Sequence, residues 1–250
     1  MENKAIIIQA RTGSGRLPNK VILPFYKDMC LLEIIIERLK KSGLNIFVAT
    51  SNNTLDDAIE EISLRSKVFC FRQDGDENNV LSRFKSIAEN YNLTHAIRVC
   101  SDNPFISLNL LNNCILNLYK KKDTDYIAYY DNKGIPSIKS HFGLFCEIIS
   151  YNAMKKITKL AQDNYHFEHV TSYIYDNPDL FKIKKLKVPK ILNNNSIRLT
   201  VDSLSDFNLT SKIFSNYKGD LDSFDELIHY IQNDAELIEE MSQNIKSNKK

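Results

Sequence analysis

Positions 9–21 read Gln-Ala-Arg-Thr-Gly-Ser-Gly-Arg-Leu-Pro-Asn-Lys-Val, so Arg11, Arg16 and Lys20 stand within ten positions around two glycines and a serine. Gly13, Ser14 and Gly15 have little or no side chain, which leaves backbone N–H groups open to an oxygen-rich anion. The chemistry this suits is the holding of a nucleoside triphosphate, with cations placed where charge builds on the departing β- and γ-phosphates. Arg grips two oxygens in a fork and Lys acts as a compact point charge, so Arg16 and Lys20 (with Arg11) are the candidate catalytic residues. Pro18 stiffens the turn that carries Lys20. A P-loop string is absent, and the dinucleotide pattern that starts at Gly13 and Gly15 fails at Pro18, where a third glycine is needed. A plain glycine turn with solvated cations is the bland reading of any one of these features; their coincidence favours the phosphate reading.

A triphosphate reaction calls for a divalent cation, and hard cations take carboxylate oxygens. Asp102 follows the apolar run 96–100, and Asp202 follows 197–201. At the ends of parallel strands both would face the crevice that receives the glycine loop. Asp102 before Pro104 equally suits a turn, and Asp202 a helix start, where Ser203 and Asp206 make a capping box.

The elements that must position these groups alternate. Apolar runs at 5–9, 46–50, 68–71 and 96–100 read as buried strands. Between them, stripes at Leu32, Ile35, Ile36 and Leu39, at Leu55, Ala58, Ile59 and Ile62, and at Val80, Leu81, Phe84, Ile87 and Tyr91 read as helices. Thr54 and Asp57 are placed like a capping box. This rhythm predicts a mainly parallel sheet with right-handed crossovers, flanked by helices. Beyond 125 strands are expected at 126–130, 144–149, 181–188 and 197–201, and helices at 151–160, 167–175, 204–217 and 223–231. The expectation is one α/β domain over 1–240, with a small inserted substrate or dimer subregion at 123–190 and a polar tail at 241–250.

Across 250 residues, 33 Lys plus Arg against 31 Asp plus Glu give a net charge of +2, which argues against a general nucleic-acid binder. The five cysteines are scattered without a C-x-x-C pair, as reduced thiols of a cytoplasmic protein would be. No apolar stretch has the length of a membrane span, and the start of the chain lacks the apolar core of a signal peptide. Cytoplasmic localisation is the expectation.

The 9–21 string resembles the signature of the spore-coat-polysaccharide-type cytidylyltransferases, relatives of the acylneuraminate and 3-deoxy-manno-octulosonate cytidylyltransferases. Asn79-Val-Leu-Ser-Arg83, Arg98-Val-Cys-Ser-Asp-Asn-Pro104, Glu168-His-Val-Thr171 and Arg198-Leu-Thr-Val-Asp202 resemble further blocks in the family's order. The resemblance spans roughly residues 4–217. It implies a Rossmann-like nucleotidyltransferase fold and transfer of CMP from CTP to a sugar or sugar-like acid, with release of pyrophosphate. It implies Mg²⁺ held by Asp102 and Asp202, and a nucleotide site that includes Gln9, Ala10, Arg11, Gly13, Ser14, Gly15, Arg16, Lys20 and Ser101. Arg72, Asp74 and Ser82 fall in the segment that approaches the base, and the sequence does not rank them. Glu147, Glu168 and His169 fall on the acceptor side. Implied partners are CTP and a small-molecule acceptor, with a homodimer compatible.

One departure stands out. Where relatives have Pro-Asp-Gly and then Gly-Leu-Asp-Val-Glu, this chain has Pro136-Ser-Ile and Gly143-Leu-Phe-Cys-Glu147. Phe145 stands where the resemblance implies a carboxylate suited to sugar hydroxyls, so the acceptor differs from the usual acidic sugar or this wall of the pocket has lost its role. His141 and Lys139 nearby favour an anionic acceptor. The alternatives are a nucleotide-binding module without turnover, or nucleotidyl transfer to a non-sugar acceptor.

Overall fold

A computed structural model describes residues 3–121, 123–193 and 196–248. The apolar runs become strands because alternate side chains can be buried on both faces of a covered sheet. In β1 (Lys4–Gln9), Ile6 and Ile8 enter one core while Ala5 and Ile7 enter the other. A short hairpin, β2 (Pro24–Tyr26) and β3 (Met29–Cys30), leads into α1 (Leu31–Lys40). Then come β4 (Ile46–Ser51), α2 (Asp57–Arg65), β5 (Phe69–Gln73), α3 (Val80–Asn90), β6 (His95–Cys100) and α4 (Leu108–Lys120). The second half supplies β7 (Tyr126–Tyr130), β8 (Glu147–Ser150), α5 (Tyr151–Leu160), α6 (Asn164–Glu168), α7 (Ser172–Asp176) and β9 (Ile183–Lys187). Helices α8 (Leu204–Asn216), α9 (Phe224–Gln232) and α10 (Ala235–Ser247) close the chain.

The sheet order is β5-β4-β1-β6-β8-β7-β9. Strands β5, β4, β1 and β6 pair in parallel, β8 pairs antiparallel with both β6 and β7, and β9 is parallel to β7. Only β8 therefore runs against the rest. The fold is a Rossmann-like nucleotidyltransferase fold, a mainly parallel sheet between helices, as the alternation predicts.

Several local expectations change. Within 123–190, β7, β8 and β9 join the same seven-stranded sheet, and every residue of β7 and β8 is buried. Residues 197–201 form no strand and lie outside the sheet, bonded to loops through Leu199 N–H to the His141 carbonyl (2.9 Å) and Val201 N–H to the Asp102 carbonyl (2.8 Å). The 167–175 helix is two short helices, and the hairpin was not anticipated. Thr54 and Asp57 form no capping box; Asn53 instead caps a 3₁₀ turn at Thr54–Asp56. The tail is helical through Ser247, capped by Asp234, with Leu237 and Met241 buried. Leu237 and Met241, four apart, dock it with Ile238 beside them, a stripe too narrow to stand out in a polar segment. Lys249 and Lys250 lie outside the described residues.

Candidate functional site

Loops after β1 and β6 meet at the carboxyl edge of the parallel strands, and the approach to β8 faces them. Together they enclose a cleft of about 820 Å³. In open α/β sheets this edge is where ligands bind, because the crossovers part there.

The loop after β1 is fixed at Thr12. Its N–H and Oγ1 donate to Asp56 Oδ1 (2.9 and 2.8 Å), and its carbonyl accepts from the N–H of Ser14 (2.8 Å) and of Asn19 (2.9 Å). Asn19 takes the left-handed conformation at φ +60°, which tightens the turn into Lys20. Ser14, Gly15 and Arg16 line the cleft; Gly13 is exposed in the same loop but off the cleft wall. Among the described residues the backbone N–H groups of Gly13, Gly15 and Arg16 make no hydrogen bond, so they remain available to an anion. Ala10 is buried, its N–H spent on the Ala49 carbonyl (3.2 Å).

Lys20 is the centre of charge. Its Nζ donates to the Val201 carbonyl (2.6 Å) and stands 3.4 Å from Asp102 Oδ2 and 3.9 Å from Asp202 Oδ1. Arg16 Nη2 lies 2.9 Å from the same Asp202 oxygen. Two aspartates from opposite halves of the chain thus face one ammonium. Asp202 is held from behind by buried Arg198, whose Nη2 is 3.1 Å from Asp202 Oδ2 and whose Nε donates to Asp206 Oδ1 at 2.6 Å. Burial opposes ionisation of Asp206, but the hydrogen bonds and charge of Arg198 outweigh it and hold its carboxyl below the ordinary range. Asp206 also forms the expected capping box with Ser203.

Two carboxylates with a lysine between them suit a small divalent cation that completes its shell with water and phosphate oxygens. Among the described residues no group of three or more His, Cys, Asp or Glu could hold a metal unaided.

The far half of the cleft is lined by Lys139, Phe145, Tyr165, His169 and Tyr175. Phe145 packs on Tyr129 (ring centroids 5.0 Å apart) and Phe142 (6.0 Å), so this side of the cleft is an aromatic wall. Gly143 stands at φ +64°, and a Cβ there would lie 2.7 Å from the Leu199 carbonyl carbon; only glycine lets the approach to β8 press on 197–201. Gln9 and Ser101 also line the cleft. Arg98 Nη2, a donor only, bonds Gln9 Oε1 at 3.3 Å, which leaves the Gln9 NH₂ without a protein acceptor among the described residues.

Other sequence candidates lie off the cleft wall. Glu147 is buried at 1% exposure and pairs with Arg98 (2.7 Å), with Thr171 and Tyr126 as further donors. A buried guanidinium needs a carboxylate, and this one is already committed. Glu168 pairs with Arg11 Nη2 (2.9 Å), while Arg11 Nη1 donates to Asn78 Oδ1 (2.7 Å); of the two, only Arg11 reaches the cleft. Arg72 is taken by Asp57 and Glu60 (2.7 Å each), Asp74 by Asn52, and Ser82 by Gln73 (2.6 Å). None of these three lines the cleft. Sequence reading missed Asp56, Tyr165 and Tyr175. The available signal for Asp56 was a strand end rich in hydroxyls, Thr50-Ser51, just before a carboxylate.

The chain is similar to known proteins along most of its length. The sequence profile of the cytidylyltransferase family matches residues 5–245. The chain is 42% identical over 205 residues to protein MJ1063 of Methanocaldococcus jannaschii, covering 81% of this chain and 79% of that protein. It is 30% identical over 214 residues to the spore coat polysaccharide biosynthesis protein SpsF of Bacillus subtilis, covering 83% and 84%. A cytidylyltransferase structure from Leptospira borgpetersenii superposes with a TM-score of 0.84 at 28% identity, over 95% of this chain and 97% of that one. The structure of CMP:2-keto-3-deoxy-manno-octonic acid synthetase complexed with CTP shares the fold at 13% identity, with a TM-score of 0.63 over 85% and 98%. From the match along nearly its whole length, the chain belongs to the cytidylyltransferase family and is a nucleotidyltransferase enzyme.

Proposed function

We propose that the protein transfers CMP from CTP to a sugar or sugar-like acid, releasing pyrophosphate, in the making of a surface polysaccharide or glycoconjugate. The observation that carries this reading is Lys20 between Asp102 and Asp202, with Arg16 on Asp202, beside a loop of unbonded N–H groups. An acceptor oxygen attacks the α-phosphorus, a new P–O bond forms, and the bond to the β-phosphate breaks with its electron pair leaving on pyrophosphate. Such a transfer rests on positioning and charge and needs no protein nucleophile. The loop N–H groups and Arg16 receive the phosphate oxygens, and Lys20 neutralises charge on the leaving group. Asp102 and Asp202 would hold Mg²⁺, which when bound supplies charge neutralisation and alignment of phosphate oxygens.

The acceptor half supports an anionic acceptor. Lys139 and His169 line it, whereas Glu147 and Glu168 are already paired with arginines. Phe145 favours a second feature, an apolar face on the acceptor, and so keeps transfer to a non-sugar acid as the alternative reading.

The test is pyrophosphate release by the full chain with CTP, ATP, UTP or GTP, with and without Mg²⁺, across a panel of sugar acids and simpler carboxylic acids. Release that needs CTP, a divalent cation and one acid is the expected result. Folded protein that releases no pyrophosphate with any CTP–acceptor pair would refute the reading.

A further inference from the structure

We infer that Asp56, which lies off the cleft wall, is the positioning residue of the phosphate-facing loop: by gripping Thr12 it sets the course of the chain to Lys20. The inference rests on the nucleotide-binding reading of the cleft for its consequence, but not for its geometry. Asp56 is 2% exposed and gathers five donors from two separate strand ends. Oδ1 accepts from the N–H and Oγ1 of Thr12, after β1 (2.9 and 2.8 Å). Oδ2 accepts from Thr50 Oγ1 (2.8 Å), Ser51 Oγ (2.6 Å) and Ser51 N–H (3.3 Å), at the end of β4. Those five bonds saturate the roughly four lone-pair sites that a carboxylate offers.

Packing holds little of this loop: between Gly13 and Lys20, Leu17 is partly buried against the core. From Gly13 to Arg16 every residue is exposed or half-exposed. What closes it is the Thr12 carbonyl, which takes the N–H of Asn19, the residue before Lys20. A shift at Thr12 therefore reaches Lys20 through one hydrogen bond, and reaches the open N–H groups of Gly13 and Gly15 through adjacent peptides. Burial works against a charged Asp56, yet the donors from Ser51, Thr12 and Thr50 outweigh it and hold its carboxyl below the ordinary range, so the anchor is ionised at neutral pH.

Amide hydrogen exchange of the full chain without nucleotide, and calorimetric titration with CTP and Mg²⁺, test this on Asp56→Ala and Asp56→Asn. Asp56→Ala should speed exchange at residues 12–20 about tenfold or more while the β1 amides of Ile6, Ile7 and Ile8 keep their rates, and should weaken CTP binding about tenfold. Asp56→Asn should restore most of both, because its amide oxygen can serve Thr12 while the hydroxyls of Thr50 and Ser51 turn to accept from its NH₂. Equal acceleration of the loop and β1 would mean a merely structural role and overturn the inference. So would unchanged loop exchange and CTP affinity in Asp56→Ala. If that variant does not fold, Thr12→Val, which removes one donor, should give a smaller acceleration of about threefold confined to the loop, and no acceleration overturns the inference. A wild-type protein that binds no nucleotide, yet whose loop alone loosens in Asp56→Ala, refutes the cleft's function and leaves Asp56 as the loop's anchor.

Discussion

Lys20 carries more of the site than any other side chain. It is half-buried, and its Nζ is committed to a backbone carbonyl and two carboxylates before any substrate arrives. Fixed in place, it is organised for the charge that develops on a departing pyrophosphate, which is where such a cation acts most strongly. Lys20→Ala should lower kcat/KM in the pyrophosphate assay about 100-fold or more, with an unchanged far-ultraviolet circular dichroism spectrum. A loss below tenfold would take Lys20 out of the catalytic role. Arg16 differs in kind: its guanidinium is about half exposed and, among the described residues, pairs with Asp202 alone, so it can exchange that partner for a phosphate at little cost.

At the scale of elements, the strap from 197 to 202 decides how the aspartates meet. It is held on one side by Gly143 and on the other by the start of α8. Gly143→Ala sets a Cβ 2.7–2.8 Å from the Leu199 and Thr200 backbone, which cannot swing aside as a side chain would, in a conformation already costly for alanine. A loss of about 2 kcal/mol or more in urea unfolding is expected, together with a raised KM for CTP, since Thr200 and Asp202 ride on the displaced strap. The other anchor depends on pH. The folded-state pKa of Asp206 lies below its ordinary value of 3.8, so its contribution to stability is fully present above that value. It drains away as pH falls through the depressed folded value. Urea midpoints measured from pH 6 down to pH 2 should fall less steeply in Asp206→Asn than in the parent, and parallel curves would deny Asp206 this part.

For the whole molecule, the last helix matters to the site although it never touches it. Met241 is buried under 197–201, and its Sδ accepts the Arg198 N–H at 3.4 Å. Arg198 in turn holds Asp202 and Asp206. Packed on α8 and α9, α10 thus braces the strap that carries Asp202. Met241→Ala should cost about 2–3 kcal/mol in chemical unfolding, and weaken CTP binding measured by calorimetry more than an equally destabilising change in α5 would. Equal effects on CTP from both sites would break this link. Among the described residues no helix is long and apolar enough to cross a membrane.

Much of this architecture is written locally. Alternation of Ala5, Ile6, Ile7 and Ile8 forces a strand covered on both faces, and the stripes of α1 and α3 force helices, because each pattern works through neighbours in the chain. The loop of Gly13, Ser14, Gly15, Arg16 and Lys20 was legible for the same reason: its glycines, cations and proline act within one turn. What no local pattern contains is the competition among distant partners. Glu147 looked like a ligand for an acceptor until Arg98 claimed it, and Arg72 looked like a reader of the base until Asp57 and Glu60 did. The sequence by itself determined the layered α/β scaffold and the chemistry of its first loop. Only the tertiary structure decided that Asp102 and Asp202 share one lysine, and that Asp56 anchors the loop, because a charge inside a protein is defined by whichever counter-charge the packing brings to it.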